Sequence, residues 1–275
     1  MISFPNAKIN IGLNITAKRS DGFHHLQSVF YPIALADAME VMENPSPNSV
    51  EFSATYSGVV IPESPSGNIC KRAYELIKKE YALPNVRFHL HKHIPIGAGL
   101  GGGSADAAFF IRLLNKAFEL HLSFGEMHHY ARQLGSDCSF FINNKPAYIE
   151  GRGDEMEAAL LDLSSYYIVL VYPNVHISTS MAYAGVTPTL PHRNLEDDVL
   201  NLPISEWQGK VKNDFEDSLF PKHPILAKIK QQLYDLGACY ASMSGSGSAL
   251  YGLFSAPPEL DDLFQGCFVW QHKML

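Results

Sequence analysis

The chain has 275 residues, of which 46% are hydrophobic and 18% are charged, which is the composition of an ordinary globular protein. No apolar run approaches the ~20 residues of a membrane-spanning helix, and the opening MISFPNAKIN lacks the basic and apolar regions of a signal peptide. The formal net charge of −7, without any basic run, argues against a nucleic-acid surface. We therefore expect a cytoplasmic protein of one large or two moderate domains.

Cysteine usage agrees with a reducing compartment. The four cysteines lie far apart in the sequence and form no C-x-x-C pair: Cys70, Cys138, Cys239 and Cys267. Such spacing favours reduced, mostly buried thiols over a disulfide framework or a zinc site. We expect no structural metal.

The first predicted strand covers residues 7–15, where apolar and polar residues alternate. Ile9, Ile11 and Leu13 point to one face of this half-buried strand, and Lys8 and Asn10 lie side by side on the other. That cation and amide either bind a ligand or form a solvated face on which Lys8 guards a sheet edge. The strand alone favours the solvated face.

The chain then continues through a strand-rich segment. A polar turn over residues 16–22 leads to predicted strands at 26–35, 37–42 and 49–61. A helix is predicted over residues 68–79, because Asn68 is a suitable N-cap and apolar residues follow at helical spacing.

Residues 87–93 form a predicted strand with His89, His91 and His93 on one face. Three histidines at alternate positions resemble a metal site, but no carboxylate or cysteine stands nearby in sequence to complete the ligation. A solvated strand face is therefore the favoured interpretation. Lys92 comes shortly before the next motif and is available to a bound nucleotide.

The motif at residues 95–108, PIGAGLGGGSADAA, holds five glycines within seven residues. Glycine lets an anion approach backbone N–H groups, and the predicted helix at 104–118 directs its positive end toward the same loop. This pattern indicates a phosphate site, although a glycine-rich turn that only joins a strand to a helix is the alternative. The Walker pattern is absent, and no second strand follows to form a Rossmann unit.

A further predicted helix runs from a capping box at Ser123 and Glu126 to Leu134. Asp137 follows, immediately before an apolar stretch. It is either the N-cap of a helix or a partly buried carboxylate whose cationic partner lies elsewhere in sequence, with Lys8 as a candidate. The strand and turn at 147–153 place a domain boundary near residue 153.

The C-terminal half contains an apolar strand at 166–172, a short helix at 181–183 capped from 178–180, and a long proline-rich connection at 187–203. An amphipathic helix at 224–236 is closed by Gly237. A serine- and glycine-rich hairpin turn lies within residues 240–254, and a closing strand is predicted at 268–274.

Taken together, the first strand, the glycine-rich loop and the late SGSGSA turn resemble the three motifs of the GHMP kinase superfamily. The segments AKINIGLNI, RSDGFHHLQSVF, GLGGGSADAA and GSDCSFF are most similar to its members that use ATP to phosphorylate the 2-hydroxyl of a CDP-linked methylerythritol in non-mevalonate isoprenoid biosynthesis. The resemblance implies an α+β fold with two lobes. Residues 1–153 would form the N-terminal lobe with the ATP loop, and residues 154–275 a ferredoxin-like C-terminal lobe.

The resemblance also implies roles in catalysis and in substrate binding. Asp137 corresponds to the catalytic base, Lys8 to its neighbouring cation and Asn10 to a residue that helps to hold the substrate. The residues implied for cytosine binding are Phe23 as a stacking ring, His24 as a hydrogen-bonding partner, Tyr183 on the opposite side of the base, and the adjacent Thr179. Tyrosine is commoner at position 23, so a phenol hydrogen bond would be lost here.

For ATP, the resemblance implies that Lys92 lies near the adenine and that the loop holds the phosphates. The implied loop residues are Pro95, Gly97, Gly99, Leu100, Gly101, Gly102, Gly103, Ser104 and Ala105. Mg²⁺ would be bound mainly by the ATP phosphates. Asp106 either touches Mg²⁺ through water or favours the helix N-terminus, and we prefer the second role.

Two other functions remain as alternatives at this stage. One is a homoserine or mevalonate type of kinase, and the other is a catalytically silent nucleotide-binding relative. A silent relative has no need for Lys8 and Asp137, and both are present here. The sequence leaves open whether the protein is a monomer or a homodimer.

Overall fold

The structure, a computed structural model, describes residues 1–46, 50–62, 67–261 and 263–275. The strands in chain order are β1 (Ile2–Ser3), β2 (Asn6–Lys18), β3 (His24–Ala36), β4 (Ala38–Glu43), β5 (Phe52–Gly58), β6 (Val86–Lys92), β7 (Ala147–Glu150), β8 (Glu155–Ala158), β9 (Tyr167–Tyr172), β10 (Tyr240–Met243), β11 (Leu250–Phe254) and β12 (Phe268–Lys273). The helices are α1 (Ile69–Lys78), α2 (Gly102–Ala117), α3 (Phe124–Leu134), α4 (Cys138–Asn143), α5 (Thr179–Gly185), α6 (Leu195–Asn201), α7 (Phe215–Leu219) and α8 (Pro224–Asp235).

Mutual contacts group these elements into two compact units. The first unit comprises Met1–Ala7, Leu35–Ile96 and Gly101–Asn144, and the second comprises Lys8–Ala34, Gly97–Leu100 and Lys145–Leu275. The predicted lobes, residues 1–153 and 154–275, are each one continuous stretch of the chain. The two units are each assembled from three separate stretches. The two divisions are therefore of different kinds, and the predicted boundary near residue 153 stays a prediction. Among the described helices, none has the length and apolar character needed to cross a membrane.

The first unit contains a four-stranded sheet in the order β1-β4-β6-β5, in which β5 runs parallel to β6 and the other pairs are antiparallel. Helix α2 packs against α1, α3 and α4. Alternation along β6 turns Val86, Phe88 and Leu90 into the core, where the ring of Phe88 meets that of Phe110 edge-on at 5.0 Å. Each such side chain contributes roughly 1.5–3 kcal/mol through burial, so the sheet and α2 are held together mainly by apolar packing.

The second unit contains two four-stranded sheets, in the orders β2-β3-β7-β8 and β10-β11-β9-β12. In the latter sheet, β9 pairs antiparallel with both β11 and β12, which explains why its sequence YIVLVY is apolar almost throughout. Helix α8 packs on β10 and β11. Leu226, Ile229 and Leu233 form its buried stripe, as the amphipathic pattern predicts.

Local signals in the sequence predict several helix ends correctly. Asn68 caps α1 by accepting hydrogen bonds from the backbone N–H groups of Cys70 and Lys71. Ser123 and Glu126 form the predicted capping box of α3. Gly237 follows α8 with a φ of 92°, the left-handed conformation that ends many helices.

Three predictions require correction. The connection predicted at 187–203 contains a helix, α6. Asn194 is the N-cap of this helix, and its side chain accepts hydrogen bonds from two backbone N–H groups. Helix α2 begins at Gly102, so it includes two glycines assigned to the loop. Strand β2 is buried on both faces up to Leu13 instead of half-buried, because the second unit also covers its polar face. The predicted strand at 49–61 is observed as β5, and residue 49 lies outside the described residues.

Gly12 provides a test of this packing. Its φ is +66°, and a Cβ at this position would lie 2.4 Å from Cδ1 of Leu195 and 3.0 Å from Cγ1 of Val211, both buried. Gly22 has a φ of +86° but no atom of the described residues within 4 Å of its Cβ position. Both alanine variants carry backbone strain, and only Gly12→Ala adds overpacking. We expect Gly12→Ala to lower the free energy of unfolding in urea by about 1–3 kcal/mol more than Gly22→Ala. Equal losses would contradict the described packing.

Candidate active site

The glycine-rich segment makes a close backbone contact at Gly99. The backbone of Gly97, Gly99 and Gly101 is left-handed, with φ values of 68°, 80° and 69°. A Cβ on Gly99 would lie 2.0 Å from the carbonyl oxygen of Ser244. Only glycine fits there, both because of its φ and because two backbone segments approach so closely.

The late serine- and glycine-rich turn, between β10 and β11, holds this segment through hydrogen bonds. The Ser244 hydroxyl donates to the carbonyl of Gly99 at 2.9 Å, and the N–H of Ala249 donates to the carbonyl of Ala98 at 3.1 Å. The Ser244 hydroxyl also accepts from the N–H of Asn10 at 3.2 Å. The turn therefore joins β2 to the glycine segment, a role that its sequence alone does not indicate.

Lys8 lies at the centre of this network. Its side chain is buried, and its ammonium donates to Oδ1 of Asn10 at 2.5 Å and to the carbonyl of Gly99 at 3.2 Å. The ammonium also lies 4.4 Å from the ring centroid of Phe30. Asn10 is held in turn, since its amide donates to the hydroxyl of Ser28 at 2.9 Å. The ammonium therefore has a defined position next to the glycine segment.

The favoured interpretation of Lys8 from the sequence, a solvated strand face, is wrong. Lys8 and Asn10 are 3% and 2% exposed. A buried ammonium is costly unless polar groups replace its water, and here an amide oxygen, a carbonyl and an aromatic face do so. This burial excludes the edge-guard role, because a lysine that guards a sheet edge must be solvated.

The residues predicted to bind cytosine are in part close to one another. The rings of His24 and Tyr183 stack with centroids 4.9 Å apart, and Tyr183 meets Phe215 edge-on at 4.9 Å. Phe23 is 56% exposed, and the guanidinium of Arg152 lies 5.3 Å from its ring. Thr179 is exposed at the start of α5, the helix that carries Tyr183. Tyr183 thus packs on His24, whereas the family resemblance implies a position across the base from Phe23.

Burial lowers the pKa of the His24 imidazole, and the positive charge of Lys18 lowers it further. Because the unperturbed value is already near 6.5, the imidazole is mainly neutral at pH 7. A neutral ring has one nitrogen that donates and one that accepts, which suits a partner that offers both kinds of group.

Lys92 is buried between two carboxylates of the first unit. Its ammonium donates to Oδ2 of Asp106 at 2.7 Å and to Oδ2 of Asp37. The other oxygen of Asp37 accepts from the backbone N–H groups of His93 and Ile94, at 2.6 and 2.8 Å. The predicted contact of Lys92 with adenine is untested by this geometry and stays a prediction, but the ammonium already has two anionic partners.

Asp37 is a site residue that sequence reasoning misses. It lies between β3 and β4, and its ion-pair partner is 55 positions away. The available signal is a single carboxylate between two apolar strands, which predicts a partner without indicating which one.

The preferred role of Asp106, at the helix N-terminus, is wrong, because this residue lies beyond the first turn of α2 and pairs with Lys92. Its Oδ1 atom is buried and has no hydrogen-bond partner among the described residues. Burial raises the pKa of Asp106 to about 7, against the opposing effect of Lys92. The three groups together hold two carboxylates and one ammonium, so a proton on Asp106 balances the charge.

The remaining residues predicted to bind ATP lie in the chain segment from Pro95 to Ala105. The side chains of Pro95, Leu100 and Ala105 are buried. The backbone N–H of Ala105 donates to the carbonyl of Gly101 at 2.9 Å, and the carbonyl of Leu100 accepts from the N–H of Lys8 at 3.0 Å. Gly103, the second residue of α2, is exposed, and a Cβ there would meet no atom of the described residues within 4 Å. Protein packing therefore gives no reason for glycine at this position, whereas a ligand approaching the N–H groups of α2 does.

Asp137 occupies the N-cap position of α4 but makes no capping hydrogen bond, and its backbone is helical. The N-cap interpretation of its side chain is therefore wrong. Helix α4 packs against α2. Burial raises the pKa of the thiol of the next residue, Cys138, to about 12, against the opposing effect of Ser104, the third residue of α2. The start of α4, which carries Asp137, thus lies beside the start of α2.

His89 and His91 lie on the partly exposed face of β6, in line with the predicted solvated strand face, and His93 lies just beyond the strand. The hydroxyls of Thr55 and Ser57 on β5 hydrogen-bond His89, at 2.8 and 3.0 Å, and Ser57 also bonds His91 at 2.9 Å. Within the described ranges, no group of three or more His, Cys, Asp or Glu side chains is arranged to hold a metal ion. All four cysteines are free thiols, and Cys70 and Cys138 are buried.

Comparison with known proteins shows similarity over the whole chain. Residues 68–145 match the family model for the GHMP kinases N terminal domain, and residues 201–265 match that for GHMP kinases C terminal. The chain is 48% identical to 4-diphosphocytidyl-2-C-methyl-D-erythritol kinase of Bacteroides fragilis (strain YCH46), with 100% of each chain covered. It is 47% identical to the protein of the same name from Bacteroides thetaiotaomicron, with 99% of each covered.

Solved structures support the same assignment. A crystal structure of 4-(cytidine 5'-diphospho)-2C-methyl-D-erythritol kinase matches with a TM-score of 0.75 and 28% identity, and 98% of each chain is covered. Homoserine kinase from Cytophaga hutchinsonii matches with a TM-score of 0.70 but 14% identity, covering 98% of this chain and 94% of that one. The latter likeness concerns the fold alone.

The raised pKa of Asp106 predicts a pH-dependent stability difference. A carboxyl whose pKa is higher in the folded than in the unfolded state stabilises the fold below the unfolded value near 3.8, and this contribution is lost as the pH rises toward 7. Asp106→Asn removes the titration but keeps an acceptor for Lys92. We subtract the melting temperature of the unmodified protein from that of the variant, and we expect this difference to be larger at pH 8 than at pH 5.5. Scanning calorimetry at both pH values measures this difference, and an unchanged difference contradicts the raised pKa.

Proposed function

Because the chain belongs to the GHMP kinase family, we propose that it uses ATP to phosphorylate the 2-hydroxyl of 4-diphosphocytidyl-2-C-methyl-D-erythritol. It is a kinase, and this substrate places it in the non-mevalonate synthesis of isoprenoid precursors. The observation that carries the choice of substrate is full-length identity of 47–48% to kinases of that name. Homoserine and mevalonate kinases match at 13–14% identity, so nothing specific favours those alternatives.

The residues of the glycine-rich motif fit the phosphates of ATP. Gly99 admits the close backbone contact that fixes the segment, and Gly103 leaves open space beside the first turn of α2. The 16-residue length of α2 gives a full helix dipole, and its first N–H groups have no partners within the helix. These features support phosphate binding by the backbone from Gly97 to Ser104, whereas the N–H of Ala105, the last residue of the predicted set, already donates to the carbonyl of Gly101. When bound, ATP supplies the phosphoryl group.

For the acceptor hydroxyl, we assign Asp137 as the general base. A carboxylate in this role accepts the proton of the attacking hydroxyl, a contribution of about 10²–10⁴ to the rate. The assignment is supported by the family resemblance, by the absence of a capping role for Asp137, and by the position of α4 beside the start of α2.

Lys8 supplies positive charge for the transfer. Its ammonium is held by Asn10 and by the carbonyl of Gly99, so it is oriented before any ligand binds. Preorganised charge of this kind stabilises the negative charge that develops during phosphoryl transfer. The pairing of Lys8 with Asp137, in which the ammonium favours the ionised carboxylate, rests on the family resemblance.

The cytidine part of the acceptor is assigned to the aromatic residues of the second unit. Phe23, which is exposed, offers a ring face to the base, and the neutral His24 offers a donor and an acceptor. Tyr183 orients His24 by stacking on it, and Thr179 lies on the same helix. Asn10 completes the proposed set through its contact with Lys8.

Mg²⁺ is the proposed metal cofactor, held mainly by the ATP phosphates. This proposal rests on the family resemblance, and it agrees with the general preference of Mg²⁺ for one or two carboxylates together with substrate phosphates. A cytoplasmic location is also proposed, from the sequence features given above: the opening residues lack the regions of a signal peptide, and the cysteine spacing favours reduced thiols.

The first test is a coupled ADP-release assay with Mg-ATP and 4-diphosphocytidyl-2-C-methyl-D-erythritol, with homoserine and mevalonate as comparison substrates. We expect turnover of the cytidyl substrate alone. Asp137→Asn is expected to lower kcat by about 10²–10⁴ with near-normal ATP binding, because it removes the base and not the phosphate site. Turnover of another alcohol would overturn the substrate, and an unaffected rate in the variant would remove Asp137 from the base role.

Gly103→Ala tests the phosphate site separately. A methyl group there meets no described protein atom, so the fold is expected to gain up to about 1 kcal/mol from the better helix former. The same methyl group obstructs a ligand at the helix start, so KM for ATP is expected to rise at least tenfold.

Gly125→Ala is the matched control, because Gly125 is also the second residue of a helix and its Cβ would have only one distant neighbour, at 3.9 Å. It is expected to give a similar gain in stability with an unchanged KM. If Gly103→Ala also leaves KM unchanged, the first turn of α2 does not bind the phosphates.

A further inference from the structure

We propose that Lys92, Asp37 and Asp106 form a buried clamp that fixes both ends of the glycine-rich loop. Lys92 then acts on ATP binding by positioning the loop backbone, instead of by touching the nucleotide. The inference rests on the proposed function, because it concerns the loop to which ATP binding is assigned.

Asp37 fixes the chain on the side where the loop begins. Its Oδ1 atom accepts hydrogen bonds from the N–H groups of His93 and Ile94, immediately before Pro95, at 2.6 and 2.8 Å. Its Oδ2 atom accepts from the Lys92 ammonium. One carboxylate thus holds three consecutive residues at the end of β6.

Asp106 fixes the chain on the side where the loop ends. It lies on α2, four residues after the first residue of that helix, and accepts from Lys92 at 2.7 Å. Gly102, that first residue, packs against the side chains of Lys92 and Ile94. A Cβ on Gly102 would lie 3.0 Å from Nζ of Lys92 and 3.0 Å from Cγ2 of Ile94. The two ends of the loop are therefore in contact, with the ammonium at the point where they meet.

The clamp leaves the ammonium little capacity for a nucleotide. Lys92 is 4% exposed, and two of its three N–H donors serve Asp37 and Asp106. The cluster already has more acceptors than donors, since Oδ1 of Asp106 has no partner among the described residues. Moving the ammonium toward a ligand would leave a buried carboxylate without compensation, which is strongly unfavourable.

A direct contact with adenine and a clamp make different predictions for a ligand without a base. Inorganic tripolyphosphate offers the phosphates of ATP but no adenine. If Lys92 contacts the base, Lys92→Met weakens ATP binding alone. If Lys92 holds the loop, Lys92→Met weakens the binding of ATP and of tripolyphosphate by the same factor.

The experiment measures dissociation constants of both ligands by calorimetry, with Mg²⁺ and the full chain. We expect Lys92→Met and Asp37→Asn to weaken both ligands at least tenfold and by factors that agree within about twofold. Lys116→Met, which removes an exposed lysine from the last turn of the same helix, is the matched control and is expected to change neither constant. Loss of ATP binding with unchanged tripolyphosphate binding overturns the clamp.

A second measurement does not depend on ligand binding. Amide hydrogen exchange, followed by mass spectrometry without ligand, is expected to accelerate in peptides covering residues 92–96 and 101–108 of the variants. Unchanged exchange there also overturns the clamp. If the unmodified protein binds neither ligand, the proposed function fails, and the exchange result still decides whether the clamp exists.

Where Lys92→Met does not fold, Asp106→Asn takes its place, because asparagine keeps an acceptor for the ammonium. It is expected to give a smaller loss for both ligands, with the same equal ratio. A loss confined to ATP in that variant counts against the clamp in the same way.

Discussion

The carbonyl oxygen of Gly99 accepts two hydrogen bonds, from the ammonium of Lys8 and from the hydroxyl of Ser244. The positions of Lys8 and of the glycine segment Gly97–Leu100 depend on this shared acceptor. It orients a buried cation, fixes a glycine segment that has no polar side chains of its own, and ties both to a β-hairpin. Asn10 closes the network, since its side chain binds Lys8 and its backbone binds Ser244.

This arrangement explains why so much polar chemistry is buried. Lys8 and Asn10 in the second unit, and Lys92, Asp37 and Asp106 in the first, are each less than 5% exposed. Replacing such groups with apolar side chains often costs no stability. Their presence is better explained by position than by stability, because each network fixes backbone on or beside the glycine-rich motif. The two networks share no residue, and each holds a different part of the backbone in place.

The sequence predicts those features whose causes are local. The positive φ angles in the glycine-rich motif, the capping box of α3 and the apolar strand β9 all depend on residues that are neighbours in the chain, and each is observed. The features that sequence reasoning misses depend on distant partners. Alternation predicts β2 but not the burial of its polar face, and nothing near Asp37 indicates that Lys92 will be its partner. The role of the Asp137 side chain is ambiguous in the sequence for the same reason, because a residue at an N-cap position need not use its side chain as the cap.

The long reach of these contacts has a consequence for how the protein is made. Asn10 bonds to Ser244 across 234 positions, and Gly99 bonds to it across 145. During synthesis, at roughly 5–20 residues per second, the hydrogen-bond partners of the Lys8 ammonium, Asn10 and Gly99, are made early, whereas Ser244 is made only after β10. A chain that ends before β10 therefore lacks the Ser244 hydroxyl, which donates to the carbonyl of Gly99 and accepts from the backbone N–H of Asn10. The glycine segment gains this anchor only when β10 and the turn that follows it have been made.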